Sequence, residues 1–261
     1  MHTPSIIFYR MLFSVAMLAV LILIRRESFR ISAKQLKAIF FLSIFYAATS
    51  LLLVESYLYI PSGLATTISF LYPIAVTLIL FFGFGQRVSA STLIAILLSF
   101  AGVFLLSFKS ASGNLDGRGL LCVIITIFTY SAYIVGMNKS CVNSLGSLVL
   151  SFYVLLFTTL FFSINMSLQG GLESIPGFME LGSLLLLGFI PTVLSNIFLF
   201  LALKRIDSAT TSLFGCMEPL TALLVGYFVF SEEMLWQQVL GAAIIIAAVL
   251  MVVLQTFKGK S

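Results

Sequence analysis

Charge is what this sequence has least of. Only 9% of its 261 residues are Asp, Glu, Lys or Arg, against roughly a quarter in a soluble domain. Apolar residues make up 61%, and the mean hydropathy is +1.17. A chain so composed has too little polar surface to face water all round, so its outside is lipid. Histidine is almost missing: His2, at the very start, is the single one. The three cysteines, Cys122, Cys141 and Cys216, show no CxxC spacing, which excludes a disulfide frame or a zinc site. No nucleophile sits beside a base, and no paired carboxylates lie within the apolar runs. An intramembrane enzyme needs one of these or a metal cluster, so neither catalysis nor a cofactor is expected. The net charge of +5 does not point to nucleic acid, because the basic residues flank apolar runs.

Those runs are long. A span needs ~20 mostly apolar residues at 1.5 Å each, and nine segments qualify: 5–24, 38–58, 62–83, 89–108, 119–138, 147–167, 181–202, 208–230 and 236–256. The expected fold class is therefore an all-α, multi-pass integral membrane protein. Ser or Asp near the linkers Pro61-Ser62 and Asp207-Ser208 is capping chemistry. Alternating sides puts Arg25, Arg26, Arg30, Lys34, Lys37, Arg87, Lys139, Lys204, Arg205, Lys258 and Lys260 on one face of the membrane. The opposite loops hold only Lys109 and Arg118 as bases, with Asp116, Glu173, Glu180, Glu232 and Glu233. The positive-inside rule makes the first face, and with it the C-terminus, cytoplasmic.

The second half repeats the first. Shifted by 146 positions, Tyr59–Val103 falls without a gap on Arg205–Val249. Ile60 then meets Ile206, Ser62 meets Ser208, Pro73 meets Pro219 and Val103 meets Val249. Charge turns over in the same register: Gln86 and Arg87 meet Glu232 and Glu233, while Leu58 and Tyr59 meet Lys204 and Arg205. Two copies of opposite orientation would show this, and inverted repeats build many transporters. The expected repeats are 1–110, with four spans, and 117–256, with five. Inversion needs an odd number in each, so the alignment implies a tenth helix, absent ahead of the first span. Either the chain begins inside a longer product or it is a natural truncation.

Candidate working residues follow from what a membrane tolerates. Glu218 lies near the middle of the eighth span, where an ionised side chain facing lipid costs several kcal/mol. It is a substrate-ammonium ligand or proton-coupling carboxylate, or a protonated glutamate that fixes packing; either way it is expected to face the interior, find a partner or stay neutral. Mid-helix Pro73 and Pro219 free the carbonyls four residues earlier, on Ser69 and Gly215; these four are hinge or gate candidates, with an ordinary kink as the alternative. Small or polar stripes (Ser62, Thr66, Ser69, Pro73, Thr77; Ser208, Ser212, Gly215, Pro219, Gly226) read as close-packing faces or a route wall. Arg10 either snorkels or holds a substrate anion. Glu55 is an interfacial carboxylate or its partner. Tyr130 and Tyr133 share a face with Thr126 and Met137, Tyr57 lies near the face of Tyr46 and Ser50, and Asn196 follows Pro191 with Thr192 and Ser195. Such a set lines a cavity for an amphipathic solute, or is core and lipid contact.

The run ESYLYIPSGLATTISFLYPIAVTLILFFG (Glu55–Gly83) resembles the third-to-fourth helix signature of EamA-type transporters in the drug/metabolite transporter superfamily. FLFLALKRIDSATTSLFGCMEPLTALLVGYFVFSEE (Phe198–Glu233) is similar to the family's eighth and ninth helices. FYRMLFSVA (Phe8–Ala16) and TYSAYIVGMNKS (Thr129–Ser140) resemble its second and sixth. The resemblance implies ten helices in a 5+5 inverted repeat and alternating access for a small metabolite. This chain departs in lacking helix one and in carrying Ser231 where many members have glycine.

Together these readings predict a plasma or inner-membrane carrier with a central site among the first, second, third, fifth, seventh and eighth spans. The resemblance alone points to export, of an amino acid or related solute. The expected partners are the lipid bilayer, a small-molecule substrate and protons as a candidate coupling ion, with no nucleic acid and no metal; self-association is left open. The alternatives are a non-transporting remnant or assembly partner, and a sugar-phosphate or nucleotide-sugar carrier of the same superfamily.

Overall fold

Several helix starts in this chain are capped by polar side chains. Ser32 and Gln35 form a reciprocal capping pair at the head of the second helix, the Ser32 N–H donating to Gln35 Oε1 (2.9 Å) and the Gln35 N–H to Ser32 Oγ (3.2 Å). Ser89 Oγ accepts from the Thr92 N–H at 3.1 Å, and Asp207 Oδ1 from the Thr210 N–H at 2.8 Å. At the other expected cap the outcome differs: Pro61 is the capping residue and makes no side-chain bond, and Ser62 is already helical.

The computed structural model describes residues 3–86, 88–106, 116–168, 173–230 and 235–258. Arg87, Lys109, Ser231, Glu232, Glu233 and Lys260, which carry part of the expected charge pattern, lie outside them. The elements are α1 (Thr3–Arg25), α2 (Ala33–Ser56), α3 (Ser62–Ser69), α4 (Tyr72–Phe84), α5 (Ala90–Leu106), α6 (Gly117–Lys139), a 3-10 turn (Cys141–Ser144), α7 (Ser147–Leu168), α8 (Phe178–Gly188), a π-helical stretch (Phe189–Leu194), α9 (Ser195–Arg205), α10 (Ser208–Phe214), α11 (Met217–Phe230) and α12 (Trp236–Lys258). Each expected span coincides with one helix, an abutting pair or, for 181–202, the run of α8, the π stretch and α9. Among the described residues, seven helical stretches are long and apolar enough to cross a membrane, and Ala90–Leu106 is a shorter apolar helix. This is an all-helical, multi-pass membrane protein.

Two units divide the chain, 1–47 with 136–205 and 48–135 with 206–261. In the first, α1 packs on α7, α8 and the π stretch, and α7 packs on α9. Ser14 Oγ, fully buried, donates to its own Arg10 carbonyl (2.7 Å) and across to the Gly188 carbonyl (3.0 Å). A Cβ on Gly188 would sit 3.2 Å from both Arg10 O and Ser14 Oγ, so glycine permits this approach.

In the second unit the most extensive contact is α5 on α12. There Gly102 and Gly241 touch backbone to backbone: a Cβ on Gly241 would lie 2.5 Å from Gly102 O, and one on Gly102 would lie 2.8 Å from Gly241 O. Ala95 and Ala248, both fully buried, join Ile96, Leu213 and Val252 in one apolar cluster. In the 146-residue register Ala95 matches Gly241 and Gly102 matches Ala248. The two helices thus present equivalent small-residue faces to each other, the packing mode membranes favour. α3 and α10 begin at matched positions (Ser62, Ser208), as do α5 and α12 (Ala90, Trp236).

Candidate functional site

The two proline helices are each interrupted by tight i→i+3 turns, with the backbone still in the right-handed helical region at Leu71 (φ −72°, ψ −9°) and Gly215 (φ −60°, ψ −25°). Leu71 donates its N–H to the Ile68 carbonyl (3.0 Å) and Ile74 to Leu71 (3.0 Å), tight turns that separate α3 from α4, with Pro73 in the first turn of the new helix. On the other side Gly215 donates to Ser212 (3.1 Å), Cys216 to Leu213 (3.0 Å) and Glu218 to Gly215 (3.0 Å), and α11 begins afresh at Met217. The Gly215 carbonyl, expected to be left free by Pro219, is therefore taken up by the Glu218 N–H. Proline is comfortable at the head of a helix, where its missing donor has no partner to lose.

The two breaks meet. Tyr72 Oη donates to the Ser212 carbonyl at 3.0 Å, deep in the unit. Ser131, on α6, has one hydroxyl proton shared between its own Ile127 carbonyl at 2.7 Å and the Tyr72 carbonyl at 3.0 Å. The Ser212 carbonyl thus accepts two donors, the Tyr72 hydroxyl and the Gly215 N–H at 3.1 Å. The Tyr72 ring meets Tyr130 edge-on (centroids 4.9 Å apart, 74°), and Tyr130 stacks on Tyr133 at 6.2 Å. Gly215 leaves the room: a Cβ there would fall 1.7 Å from Tyr72 Oη. Thr49 and Thr129 share a hydrogen bond of 2.8 Å between α2 and α6.

Of the candidates, Tyr130, Tyr133, Pro73, Ser69, Gly215, Pro219 and Glu218 all fall in this unit. Tyr130 and Gly215 meet Tyr72, a residue the sequence reading did not single out, and Tyr133 stacks behind Tyr130. Glu218 is exposed, donates its backbone N–H to Gly215, and has its carboxylate close enough to Tyr72 to interact with it electrostatically. Tyr57 lies past the end of α2 and is 39% exposed. Glu55 is exposed too, with Tyr59 Oη 3.5 Å from it. The stripe on the third span is not one buried face: Ser62 is exposed, Thr66 and Ser69 are half-buried, and only Pro73 and Thr77 are buried.

Arg10 and Asn196 belong to the first unit. Arg10 is half-buried, and its Nε is buried with no hydrogen-bond partner among the described residues. Asn196 Nδ2 donates to the Thr192 carbonyl (2.8 Å) and lies 3.5 Å from Tyr46 Oη. Pro191 sits within the π-helical stretch, where Thr192 Oγ1 reaches the Leu187 carbonyl five residues back (3.1 Å). Pro191 is thus a third marked interruption, of a kind frequent at functional sites.

Residues 1–108 and 117–254 match the family model described as the EamA-like transporter family. The chain belongs to this family. Two relatives from Archaeoglobus fulgidus, each described as "Uncharacterized transporter", are 24% identical over 86% of this chain and 80% of their own length in one case, and 27% over 64% and 58% in the other. A solved structure described only as "Crystal structure of protein" shares the fold at 16% identity, with a TM-score of 0.83 over 100% of this chain and 91% of its own. This EamA-like protein is a membrane transporter, and its surroundings are the bilayer and a small-molecule substrate.

Proposed function

We propose that this transporter carries a small amphipathic metabolite, such as an amino acid, outward across the plasma or inner membrane by alternating access. The observation that carries the reading is the hydrogen bond between the two helix breaks, Tyr72 Oη to the Ser212 carbonyl at 3.0 Å. A side-chain hydroxyl can leave one carbonyl for another at a cost of about 1 kcal/mol, so breaks held this way can open and reclose on each cycle. Interrupted helices at corresponding points of two halves are where transporters place substrate.

The halves proposed as repeats are 1–110 and 117–256, the second inverted and the C-terminus cytoplasmic. What supports this is the matched starts of α3 and α10 and of α5 and α12, the equivalent faces at their crossing and the bias of basic loops. In the repeat register Glu218 and Tyr72 are equivalent residues, each directly before its proline. One break therefore carries a neutral hydroxyl and the other a carboxylate. Glu218 reads the substrate ammonium or a coupling proton, and the tyrosines offer the apolar body of the solute a flat wall. Arg10 and Asn196 remain separate candidate substrate contacts of the first unit, taken by itself.

The test is Glu218→Gln in proteoliposomes loaded with a panel of labelled amino acids and related solutes. Transport should fall at least tenfold, or lose its dependence on pH, while membrane insertion is unchanged. Transport that keeps its rate and pH profile in this variant removes Glu218 from the mechanism.

A further inference from the structure

At the end of the first unit that carries Arg25 and Lys204, a groove of about 510 Å³ opens between α1, the start of α7 and α9. Its walls are apolar: Leu21 from α1, Phe189 and Leu194 from the π stretch, and Ile197 and Leu201 from α9. From Phe189 to Leu201 the helix climbs about 18 Å at 1.5 Å per residue, close to the roughly 15 Å depth of one leaflet's hydrocarbon. Its mouth holds Arg25, Lys204 and Glu27. Arg25 and Lys204 stand in the last turns of α1 and α9, at the end where the sequence concentrates basic residues, the face that meets anionic lipid.

The charges at the mouth are not equally available. Glu27 lies at the N-terminal end of α7: a Cβ on Gly146 would come 3.0 Å from its Oε2. A carboxylate there is held by the positive end of a 22-residue helix. Lys204 Nζ donates to the Leu145 carbonyl and keeps further protons to give. Arg25 is exposed. Ser147 lines the same groove, is only 9% exposed, and its Oγ is buried with no hydrogen-bond partner among the described residues. The mouth therefore carries one net positive charge, with donors to spare and one carboxylate that faces both the α7 terminus and Lys204.

We infer that this groove is a binding site for one singly anionic glycerophospholipid. One acyl chain lies along Phe189, Ile197 and Leu201, and the phosphate is held by Arg25, Lys204 and the Ser147 hydroxyl. A phosphatidylethanolamine ammonium would find Glu27 already committed to the α7 terminus. A soluble phosphate would leave the apolar length of the groove unused. The inference rests on the chain's place in the membrane and not on which solute it moves.

The experiment is native mass spectrometry of the purified full chain, titrated separately with dioleoyl phosphatidylglycerol, phosphatidylethanolamine and phosphatidylcholine. Each basic residue near an anionic group is worth about fivefold, so phosphatidylglycerol should bind at least tenfold tighter than either other lipid. Arg25→Gln with Lys204→Gln should reduce that preference to within about twofold. Leu201→Trp, which fills the groove and leaves the charges in place, should weaken all phosphatidylglycerol binding; Leu201 is 38% exposed and tolerates the larger ring. Equal binding of the three lipids, a preference that survives the double substitution, or displacement of phosphatidylglycerol by millimolar inorganic phosphate would each overturn the assignment.

Discussion

Gly241→Val should be the most destabilising single substitution outside the helix breaks, costing about 3 kcal/mol or more. Its Cβ would stand 2.5 Å from the Gly102 carbonyl oxygen and 3.0 Å from both Leu105 Cβ and the Leu106 N. Two of those three neighbours are backbone, which no rotamer change can move. Relief requires α5 and α12 to part, and that breaks the cluster of Ala95, Ile96, Leu213, Ala248 and Val252 beneath them. Separation also strips Gln238 Nε2 from the Leu106 carbonyl, now 3.2 Å away. In lipid no gain of hydrophobic burial compensates, because contact with acyl chains is already apolar; close packing is what is lost. The matched control is Gly182→Ala in α8, where an added Cβ meets nothing within 4 Å. That change should be neutral or raise stability by up to about 1 kcal/mol through helix propensity. Thermal unfolding of the purified protein in detergent measures both. A Gly241→Val melting curve superimposable on the parent's would show that the two helices do not cross this closely.

The spans were legible because lipid leaves few choices. A run of ~20 apolar residues must be helical and must cross, so length and composition settle α1, α2, α6, α7 and α12 with no tertiary information. Prolines 73 and 219 were equally visible. The tight turns were not: each proline removes a helical donor, and the chain answers with i→i+3 bonds on both sides, around Leu71 and around Gly215, before the helix resumes. Once α11 restarts at Met217, its rotational phase is no longer that of a continuous helix from Ser208. The face expected to run from Ser208 to Pro219 is accordingly split, with Ser208 and Ser212 buried and Pro219 only half-buried. Tyr72 escaped notice although its signal was present, since it stands in register with Glu218 and directly precedes Pro73. Ser131 had no local mark, because what it bonds is fixed only when α6 meets the head of α4. The groove mouth joins residues as distant as Arg25 and Lys204, which no pattern within one span could pair.

Gly215→Ala should open the joined breaks, and Tyr72→Phe should undo much of that effect. The added methyl would fall 1.7 Å from Tyr72 Oη, an impossible distance, so the ring must leave. With it go the bond to the Ser212 carbonyl and the edge-on contact with Tyr130, together about 2 kcal/mol. Tyr72→Phe alone costs less, about 1 kcal/mol, because the Ser212 carbonyl keeps the Gly215 N–H at 3.1 Å. Cys216, beside the break and only 1% exposed, reports on the opening. With Cys122 and Cys141, both half-buried, changed to serine, the rate of maleimide labelling at Cys216 isolates that site. Gly215→Ala should raise the rate at least tenfold. In the Tyr72→Phe background the nearest remaining ring atom stands 3.0 Å from the methyl, a contact a small shift can relieve, so the increase should shrink to two- or threefold. The two substitutions are in direct contact, and their effects must therefore be non-additive. Additive effects on labelling would mean that Tyr72 does not latch one break to the other, and the proposed gate would lose its fastening.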